Sequence, residues 1–548
     1  MKGFKKFLIY FSIILGVLLA IVLIIFAFMY FSPNTPVLGY EYVSYKSSET
    51  KIFNSSSVPS VQNIQSVEIY SDNCDIYIYP NDQSGEIKVV ETYNFSGFAK
   101  QVNAGISIEE KVSYNQYEEN SLNLKAFMVV LKEPKGWISK NKSRLEVYVS
   151  SSFNLNTIFA KTNGGNVYYN STLDESNVSC ANLFLKSSGD GKIYINNNQN
   201  ISNYYLATEN GSVSFNNLTS ITANLIKFET KNGSLIATNE TKDCELISDL
   251  TIKSNSTGSG PYVNVNILSG NLFVNTSNGT YIIDKIGKYG DYKTVSITAN
   301  KSTVNFGVVY GNVSILSYSK AEKNKVYINE LNYSGLTNTF ETGSGDCTIN
   351  KLQGNVAIET TSGNVQINEA TTNSNVNVYT KSGNINVNYN YSEQNNKNNF
   401  LKAITHTGNI NLDNVSCYLE VKVLANSKAS CNIGFTAVSS LDNKLDILDR
   451  SANLYFINSG SNTRCRIVSK EAINLVAPAI GSDISTQYDD SNVENTDYIL
   501  GDYEGYNHSY RINYNKYDET YTHSTYLQMG KILINSTGVT NVYAKTTV

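Results

Sequence analysis

The stretch TTSGNVQINEATTNSNVNVYTKSGNINVNYN, which runs from Thr360 to Asn390, contains the same phrase twice. Thr-Ser-Gly-Asn-Val surrounds Gly363 and Lys-Ser-Gly-Asn-Ile surrounds Gly383, and apolar and polar residues alternate after each glycine. Alternation with a period of two predicts a half-buried strand. The glycine predicts a tight turn that needs positive φ or close backbone approach. The stretch therefore predicts a repeating unit of a turn followed by a short strand.

Further copies of this unit occur on both sides of the stretch. Their spacing is about 20 residues or about twice that, and their glycines are Gly165, Gly191, Gly211, Gly233, Gly270, Gly311, Gly345 and Gly408. A fixed period of this size, with no helical pattern between the strands, favours an all-β fold, an elongated β-solenoid. The asparagines that follow three of the glycines, Asn364, Asn384 and Asn409, are expected to stack and to hydrogen-bond from coil to coil.

The composition limits the classes of function. Charged residues make up 16% of the 548 residues and the net charge is -4, so the basic footprint of a nucleic-acid-binding protein is missing. The 7 cysteines show no Cys-x-x-Cys spacing, which argues against a zinc site. Cys347 stands where a later copy has Val365, so we expect buried thiols, with one Cys417–Cys431 bridge as the alternative.

An apolar segment from Phe7 to Phe31 follows three lysines near the N-terminus, Lys2, Lys5 and Lys6. The segment is long enough to span a bilayer and longer than the apolar part of a signal peptide. The positive-inside rule places the N-terminus in the cytoplasm and the rest of the chain outside. The sequence therefore predicts a single-pass cell-membrane protein with an extracellular C-terminal domain, and a cleaved signal peptide is the alternative.

The order of these features predicts six segments. They are a cytoplasmic tail (1–6), a transmembrane signal anchor (7–31), a stalk rich in Ser and Thr (32–65), N-terminal strands that cap the solenoid (66–160), the repeat β-solenoid (161–479), and Tyr-rich C-terminal coils with a cap (480–548).

The residues that catalysis or metal binding would need are scarce. The sequence has 3 histidines, and His406 replaces Lys381 of another copy, which indicates a solvated turn residue. His508 and His523 are interpreted as exposed strand residues. The loop Asp489–Asp497 has enough carboxylates for a hard cation but lacks EF-hand spacing, so an acidic solvated loop is the preferred interpretation. We predict no catalytic, cofactor-binding or metal-binding residues, and no cofactor.

The phrases Thr-Ser-Gly-Asn-Val-Gln-Ile, Lys-Ser-Gly-Asn-Ile-Asn-Val and Gly-Ser-Gly-Asp-Cys-Thr-Ile resemble those of the bacterial putative-adhesin domain of unknown function. The lead-in Leu-Glu-Val-Tyr-Val at 145–149 is similar to that family as well, and the resemblance covers roughly residues 65–440. It implies a β-solenoid that is often membrane-anchored or exported. It carries no catalytic residues, and this chain departs from the family in its length and its Tyr-rich end.

The function predicted from these observations is that of a membrane-anchored, surface-exposed, non-catalytic adhesin-like binding protein. Its partner would be a cell-surface protein or a glycan, besides the membrane. The alternatives are a polysaccharide-acting β-helix enzyme of the envelope, which a cluster of carboxylates on adjacent coils would reveal, and a structural or stress-related envelope component. Tyrosine offers rigid amphipathic contact area, so the predicted binding patch is Tyr503, Tyr506, Tyr510 and Tyr514. The other interpretation of these rings is that they only cap the last coil.

Overall fold

The computed structural model describes most of the chain before residue 424 and separate strands after it. The described residues are 2–31, 41–57, 63–99, 105–114, 123–132, 136–141, 143–169, 178, 180–196, 201–215, 218–239, 242–371, 374–389, 400–415, 418–423, 431–435, 441–447, 453–458, 463–472, 498–499, 508–512, 523–527, 530–538 and 540–546. They fall into two compact units, Met1–Cys244 and Glu245–Val548.

The first element, α1 (Lys2–Phe31), is a helix of 30 residues and is the only α-helix in the described part of the chain. Its segment Phe4–Phe31 has 28 residues and is long and apolar enough to cross a membrane. At about 1.5 Å per residue this segment measures roughly 42 Å, which exceeds the about 30 Å of a hydrocarbon core. Near the end of the helix the ring of Tyr30 lies 5.0 Å from that of Tyr42.

The described residues of the first unit form sixteen strands. They are β1 (Glu41–Phe53), β2 (Ser66–Ser71), β3 (Asp75–Asn81), β4 (Ile87–Ala99), β5 (Gly105–Tyr114), β6 (Asn123–Lys132), β7 (Gly136–Asn141), β8 (Arg144–Ser150), β9 (Leu155–Thr162), β10 (Val167–Tyr169), β11 (Cys180–Ser187), β12 (Ile193–Ile195), β13 (Ile201–Thr208), β14 (Ser212–Phe215), β15 (Ser220–Thr230) and β16 (Ser234–Ala237).

These strands form two parallel ladders, and each coil of the chain gives one strand to each ladder. The first ladder has the order β6-β2-β9-β11-β13-β15. The second has the order β8-β3-β10-β12-β14-β16. This is a β-solenoid, as the sequence predicted. The outermost coil does not follow the order of the chain. Its strands β6 and β8 come after β2 and β3 in the sequence, but they pair with the edges of β2 and β3 that face away from β9 and β10.

Antiparallel strands cover the start of both ladders. β5 pairs with β6, and β4 pairs with β8, so the open edges of the outermost coil are closed. β1 then pairs with β4 over all 13 of its residues. Residues 41–53 lie in the segment predicted to be a stalk, and the structure makes them a strand of the sheet. Residues 41–53 form a strand because β4 offers them a free edge to pair with. The strand β1 also ends in the apolar Phe53, whose ring packs 5.2 Å from that of Phe127.

The second unit contains the remaining strands. They are β17 (Glu245–Ser254), β18 (Tyr262–Leu268), β19 (Leu272–Thr276), β20 (Asn278–Ile286), β21 (Lys293–Thr298), β22 (Lys301–Leu316), β23 (Lys325–Gly343), β24 (Cys347–Thr360), β25 (Val365–Ala370), β26 (Val376–Thr380), β27 (Ile385–Tyr389), β28 (Phe400–Thr405), β29 (Ile410–Val415), β30 (Tyr418–Val423), β31 (Cys431–Phe435), β32 (Leu441–Ile447), β33 (Asn453–Asn458), β34 (Thr463–Ala472), β35 (Tyr498–Ile499), β36 (His508–Ile512), β37 (His523–Leu527), β38 (Gly530–Gly538) and β39 (Thr540–Thr546).

The second unit is also a solenoid with two parallel ladders. From β24 onward one ladder runs β24-β25-β27-β29-β31-β33-β39 and the other β24-β26-β28-β30-β32-β34-β38. The end is closed by antiparallel strands, because β36 pairs with β39 and β37 pairs with β38. The division into Tyr-rich coils and a cap at 480–548 stays a prediction.

Inward side chains form apolar columns that cross the strands. Cys347 lies between Val326 and Val365 on the neighbouring strands, and all three are buried. The structure thus confirms that this cysteine is a core residue, and burial raises the pKa of its thiol to about 12. Cys74, Cys180 and Cys244 are buried thiols as well. The Cys417–Cys431 bridge stays a prediction, since residue 417 lies outside the described residues.

Close approach, and not positive φ, explains the glycines of the repeated phrase. Neither Gly363 nor Gly383 has a left-handed backbone. A Cβ on Gly363 would instead overlap the carbonyl oxygen of Gly345, and one on Gly383 would overlap that of Gly363. The glycines of successive coils therefore lie directly over one another. Left-handed backbone occurs nearby at Gly343, with φ of 61°.

Buried threonines hold these turns. The backbone N–H of Gly383 donates to Oγ1 of Thr380 at 2.8 Å, and that of Gly408 donates to Oγ1 of Thr405 at 2.9 Å. The hydroxyls of Thr360 and Thr380 are 3.2 Å apart on adjacent coils. The spacing Thr-x-x-Gly is visible in the sequence, but its role becomes apparent only in the structure.

The predicted asparagine stack is present beside the glycines. The side-chain oxygen Oδ1 of Asn364 accepts the backbone N–H of Asn384 at 3.0 Å, and Oδ1 of Asn384 accepts that of Asn409 at 2.9 Å. Asp346 has the same role in the preceding coil, since its Oδ1 accepts the N–H of Asn364 at 2.8 Å. Each side chain thus satisfies a turn donor of the next coil, which keeps the coils in register.

Candidate binding surface

The predicted tyrosine patch lies mainly outside the described residues. This holds for Tyr503, Tyr506 and Tyr514, whereas Tyr510 lies in β36. In that strand its backbone pairs opposite Val542 of β39. The strand therefore covers the sheet edge, as the capping interpretation requires. The use of the four tyrosines as a binding patch stays a prediction.

A column of aromatic side chains on the first unit is the most extended candidate surface. Its members, here called the tyrosine column, are Tyr148, Tyr79, Tyr77, Tyr168 and Tyr194. The rings of Tyr77 and Tyr168 are 4.3 Å apart and 5° from parallel. Those of Tyr168 and Tyr194 are 4.8 Å apart and 9° from parallel. All five side chains are partly exposed.

Strand alternation and parallel register position this column. On β3, β8, β10 and β12 the tyrosines point outward between buried neighbours such as Ile76, Ile78 and Ile193. The register then aligns Tyr77, Tyr168 and Tyr194 on successive coils. Strands in a sheet lie about 4.8 Å apart, so aligned rings stack without a change in backbone. The parallel register of successive coils therefore produces the tyrosine column.

Charged groups flank one end of the column. The guanidinium of Arg144 lies 4.0 Å from the ring centre of Tyr77, and its Nη2 donates to the hydroxyl of Tyr79 at 3.1 Å. Arg144 also forms a 2.5 Å ion pair with Glu146. The hydroxyl of Tyr148 donates to Glu146 at 2.8 Å. These contacts fix the side chains near β8.

Burial raises the pKa of several of these phenols. The pKa of Tyr148 is raised to about 12, by burial first and then by the hydrogen bond to Glu146. The pKa of Tyr168 is raised by burial and by the neighbouring Tyr77, and that of Tyr77 by burial and by Asp75. The hydroxyls therefore keep their protons at physiological pH, where that of Tyr148 donates to Glu146 and that of Tyr168 bonds to Tyr77.

The other ladder of the first unit carries a second aromatic group. Phe184 and Tyr205 stack with 4.2 Å between ring centres, and Phe159 lies 6.4 Å from Phe184. A shallow depression beside them is lined by Lys186, Ala207, Lys227 and Glu229. The Nζ of Lys227 forms a 2.8 Å ion pair with Glu229. The depression thus combines an aromatic wall with charges of both signs.

An exposed aromatic corner occurs in the second unit. Tyr289, in the turn between β20 and β21, is 82% exposed, and Leu336 in β23 is 58% exposed. The ring of Tyr292 lies 6.5 Å from that of Tyr289 and 5.3 Å from that of Tyr333. Nothing among these contacts identifies a ligand for the corner.

His406 and the opposed carboxyls of Glu49 and Glu91 are groups suited to acid–base chemistry in the described part of the chain. His406 is a partly exposed turn residue, and its Nε2 lies 3.0 Å from the hydroxyl of Tyr379. Glu49 and Glu91 lie opposite each other on β1 and β4. Glu91 is only 3% exposed, and burial, then Glu49, raises its pKa. A substrate would have to reach a buried carboxyl, so this pair does not form an open cleft.

Potential metal ligands are dispersed over the same part of the chain. Among the described residues, no group of three or more His, Cys, Asp or Glu side chains converges on one point. The predicted acidic loop Asp489–Asp497 lies outside these residues. His508 and His523 lie in β36 and β37.

The tyrosine column was not predicted from the sequence, although a signal for it exists. Asp-Ile-Tyr-Ile-Tyr at 75–79, Glu-Val-Tyr at 146–148 and Ile-Tyr-Ile at 193–195 each place tyrosine between apolar residues. This pattern predicts outward tyrosines on several strands. It does not reveal which strands are neighbours, because β8 lies outside β3 against the order of the chain.

The fold and this surface define the class of protein, a β-solenoid with an N-terminal apolar helix and aromatic columns on its outer face. Residues 263–428, which lie in the second unit, match the family model described as Toastrack DUF4097. This stretch of the chain is therefore a Toastrack domain. A search of curated proteins found no match.

Three solved structures that the chain matches come from two bacterial genera. A putative adhesin from Parabacteroides merdae has 11% identity and a TM-score of 0.23, with 58% of this chain and 95% of that chain covered. A putative cell adhesion protein from Clostridium sporogenes has 12% identity and a TM-score of 0.22, with 48% and 99% covered. A putative adhesin from Parabacteroides distasonis has 10% identity and a TM-score of 0.18, with 77% and 94% covered.

Proposed function

We propose that this chain is a membrane-anchored, surface-exposed, non-catalytic binding protein of the adhesin type. The observation that carries the proposal is the tyrosine column, a row of partly exposed rings held on a rigid sheet. Rigid tyrosines lose little conformational entropy on binding and offer both apolar area and hydroxyl groups. The partner is a cell-surface protein or a glycan.

The apolar helix supports the anchoring aspect of this proposal. The apolar stretch from Phe7 to Phe31 is mostly exposed and follows Lys2, Lys5 and Lys6. An exposed helix of this composition is stable in a bilayer and unfavourable in water. The positive-inside rule supports an orientation with the N-terminus in the cytoplasm and the two solenoid units outside the cell membrane.

The enzyme alternative has one observation in its favour, the opposed carboxyls of Glu49 and Glu91. The Nζ of Lys51 lies 3.6 Å from Glu49 and offsets its charge. Because Glu91 is buried, we favour the binding function over hydrolysis of a polysaccharide. The C-terminal patch of Tyr503, Tyr506, Tyr510 and Tyr514 is kept as a second proposed contact surface.

A whole-cell binding assay tests the proposed function. The full chain in lipid nanodiscs carries a fluorescent label and is incubated with intact bacterial cells and with immobilised cell-envelope extract. We expect saturable binding that falls at least tenfold when Tyr77, Tyr168 and Tyr194 are all replaced by Ser. The control replaces three exposed tyrosines of the second unit, Tyr262, Tyr318 and Tyr327. No saturable binding, or the same loss in both variants, would contradict the proposal.

A further inference from the structure

Strand β1 follows the apolar helix in the chain, and two like charges face each other where it pairs with the first unit. Glu49 of β1 lies directly opposite Glu91 of β4 in the antiparallel register. Like charges directly opposite each other on neighbouring strands are destabilising. The Nζ of Lys51 lies 3.6 Å from Glu49 and offsets only part of this repulsion. The pairing of β1 is therefore weakened when both carboxyls are ionised.

Glu91 occupies a core-facing position of β4. Strand alternation buries Ile87, Val89 and Glu91, and the side chain opposite Glu91 on β8 is the buried Leu145. Glu91 itself is 3% exposed. A carboxyl in such a place is stable when neutral and costly to ionise, because its charge is poorly solvated. Burial, followed by the charge of Glu49, accordingly raises the pKa of Glu91.

The described charged groups around Glu91 belong to β1 and β8. On β1 they are Glu49 and Lys51, and among the described residues only these two act on the Glu91 carboxyl. On β8, Arg144 and Glu146 flank the position opposite Glu91, so strand alternation places them on the outer face, where they pair with each other. The charge state of Glu91 thus depends chiefly on whether β1 is in place.

Strand β1 can leave the sheet without breaking the solenoid. Among the described strands it pairs only with β4, and it belongs to neither parallel ladder. An edge strand with one neighbour is a natural unit of local opening. In the paired state the ring of Phe53 packs on Phe127, and the ring of Tyr42 lies 5.0 Å from that of Tyr30 in the helix. Paired β1 therefore holds the first unit close to the end of the helix.

We propose that β1 is a pH-controlled tether, which is paired with β4 in acid and is released as Glu91 and Glu49 become ionised. Its 13 residues, at about 3.3 Å each, would then extend over roughly 43 Å. Release would let the solenoid move away from the end of the helix by up to this length and would leave β4 with a free edge. The inference goes beyond the proposed binding function and does not depend on it.

The direction of the pH effect follows from the two states of Glu91. With β1 paired, Glu91 is buried and its pKa is raised; with β1 released, the carboxyl is solvated and has its ordinary pKa of 4.5. The released state therefore loses its proton more readily. Pairing of β1 is strongest below about pH 4.5 and weakens as the pH rises through the raised pKa of Glu91.

Hydrogen–deuterium exchange of the full chain in lipid nanodiscs, read by mass spectrometry at pH 4.5, 6.0 and 7.5, tests the tether. Protection factors, corrected for the intrinsic pH dependence of exchange, are compared between β1 and the ladder strand β11. We expect the protection of β1 to fall at least tenfold from pH 4.5 to 7.5, and that of β11 to change less than twofold. No fall in β1, or an equal fall in β11, would overturn the proposal.

Two variants assign the effect to the carboxyl pair. Glu91→Gln, which is neutral at every pH, should reduce the fall in β1 to less than twofold. Glu49→Gln alters an exposed side chain and leaves the core intact, and it should raise the protection of β1 at pH 7.5 at least threefold. The control Glu229→Gln, at an exposed position of β15, should behave like the unmodified chain. A full tenfold fall in Glu91→Gln, or unchanged protection in Glu49→Gln, would contradict the role of this pair.

Discussion

Gly363 illustrates how one missing Cβ determines the spacing of the coils. Its neighbour across the coil is the carbonyl oxygen of Gly345, which a Cβ would overlap. Gly363→Ala should therefore force the two turns apart and lower the free energy of unfolding by about 1–3 kcal/mol. Urea unfolding followed by circular dichroism measures the change.

The control for this substitution is Asn377→Ala on the exposed face of β26. It should change the free energy of unfolding by less than about 0.5 kcal/mol, as surface substitutions usually do. Equal effects of the two substitutions would show that the glycine is not needed for the close approach.

The buried thiol of Cys347 should make the stability of the second unit depend on pH in the alkaline range. Its folded pKa of about 12 lies above the ordinary thiol value of 9.0, chiefly because of burial. The folded thiol keeps its proton while the unfolded one ionises, so stability is full below about pH 9 and decreases as the pH rises toward 12. One such group contributes a slope of about 1.4 kcal/mol per pH unit in this window.

Cys347→Val should remove that slope and leave stability near pH 7 almost unchanged. The substituted side chain would join Val326 and Val365 in the same column. Urea midpoints of both proteins at pH 7.5, 9, 10 and 11 provide the comparison. A variant that loses as much stability as the original chain between pH 9 and 11 would show that this thiol does not contribute.

Local sequence signals predicted what depends on near neighbours in the chain. Asn364, Asn384 and Cys347 occupy the places that the repeated phrase implied. The tyrosine column depends on the spatial order of coils, and that order departs from the sequence at β6 and β8. The strand at 41–53 was missed for a related reason, since it exists only because β4 offers an edge. The sequence therefore predicts features that depend on near neighbours in the chain better than features that depend on which distant strands pair.

At the scale of elements, antiparallel strands solve the edge problem of both ladders. A parallel solenoid ends in unpaired backbone groups that invite pairing with another chain. In the second unit β36 and β37 cover β39 and β38. The acidic, tyrosine-rich sequence around them allowed a cap to be predicted, but not the antiparallel direction.

The double substitution Ser509→Pro and Ser524→Pro should open both edges of that cap. Proline removes a donor and fits poorly inside a paired strand. Because β38 and β39 would then be free to pair with another chain, we expect association that increases with concentration. Light scattering after size-exclusion chromatography in nanodiscs, at two concentrations, measures it.

Thr257→Pro serves as the control for the cap variant. This residue lies in an exposed bend of the second unit, away from the paired strands. The control should elute like the unmodified chain. A cap variant that also elutes unchanged at both concentrations would mean that β36 and β37 are dispensable for edge protection.

For the whole molecule, orientation in the membrane decides whether the proposed binding surface can meet a partner. Three lysines lie at the start of the helix, before its apolar stretch, and Ser32 and Pro33 follow that stretch in the sequence. The charge difference should hold the N-terminus inside and expose both units. In intact cells of a bacterial host with a single membrane, added protease should remove a C-terminal tag and leave an N-terminal tag protected.

The substitution of Lys2, Lys5 and Lys6 by Glu tests the cause of this orientation. Without the positive charges the preference should weaken, so a larger share of C-terminal tags should resist the protease. The anchor itself should persist, because the apolar stretch from Phe7 to Phe31 is unchanged. A C-terminal tag that is protected in the unmodified chain would place the solenoid units inside and remove the basis for a surface binding function. Release of the unmodified chain into the medium without its N-terminal tag would instead indicate a cleaved signal peptide.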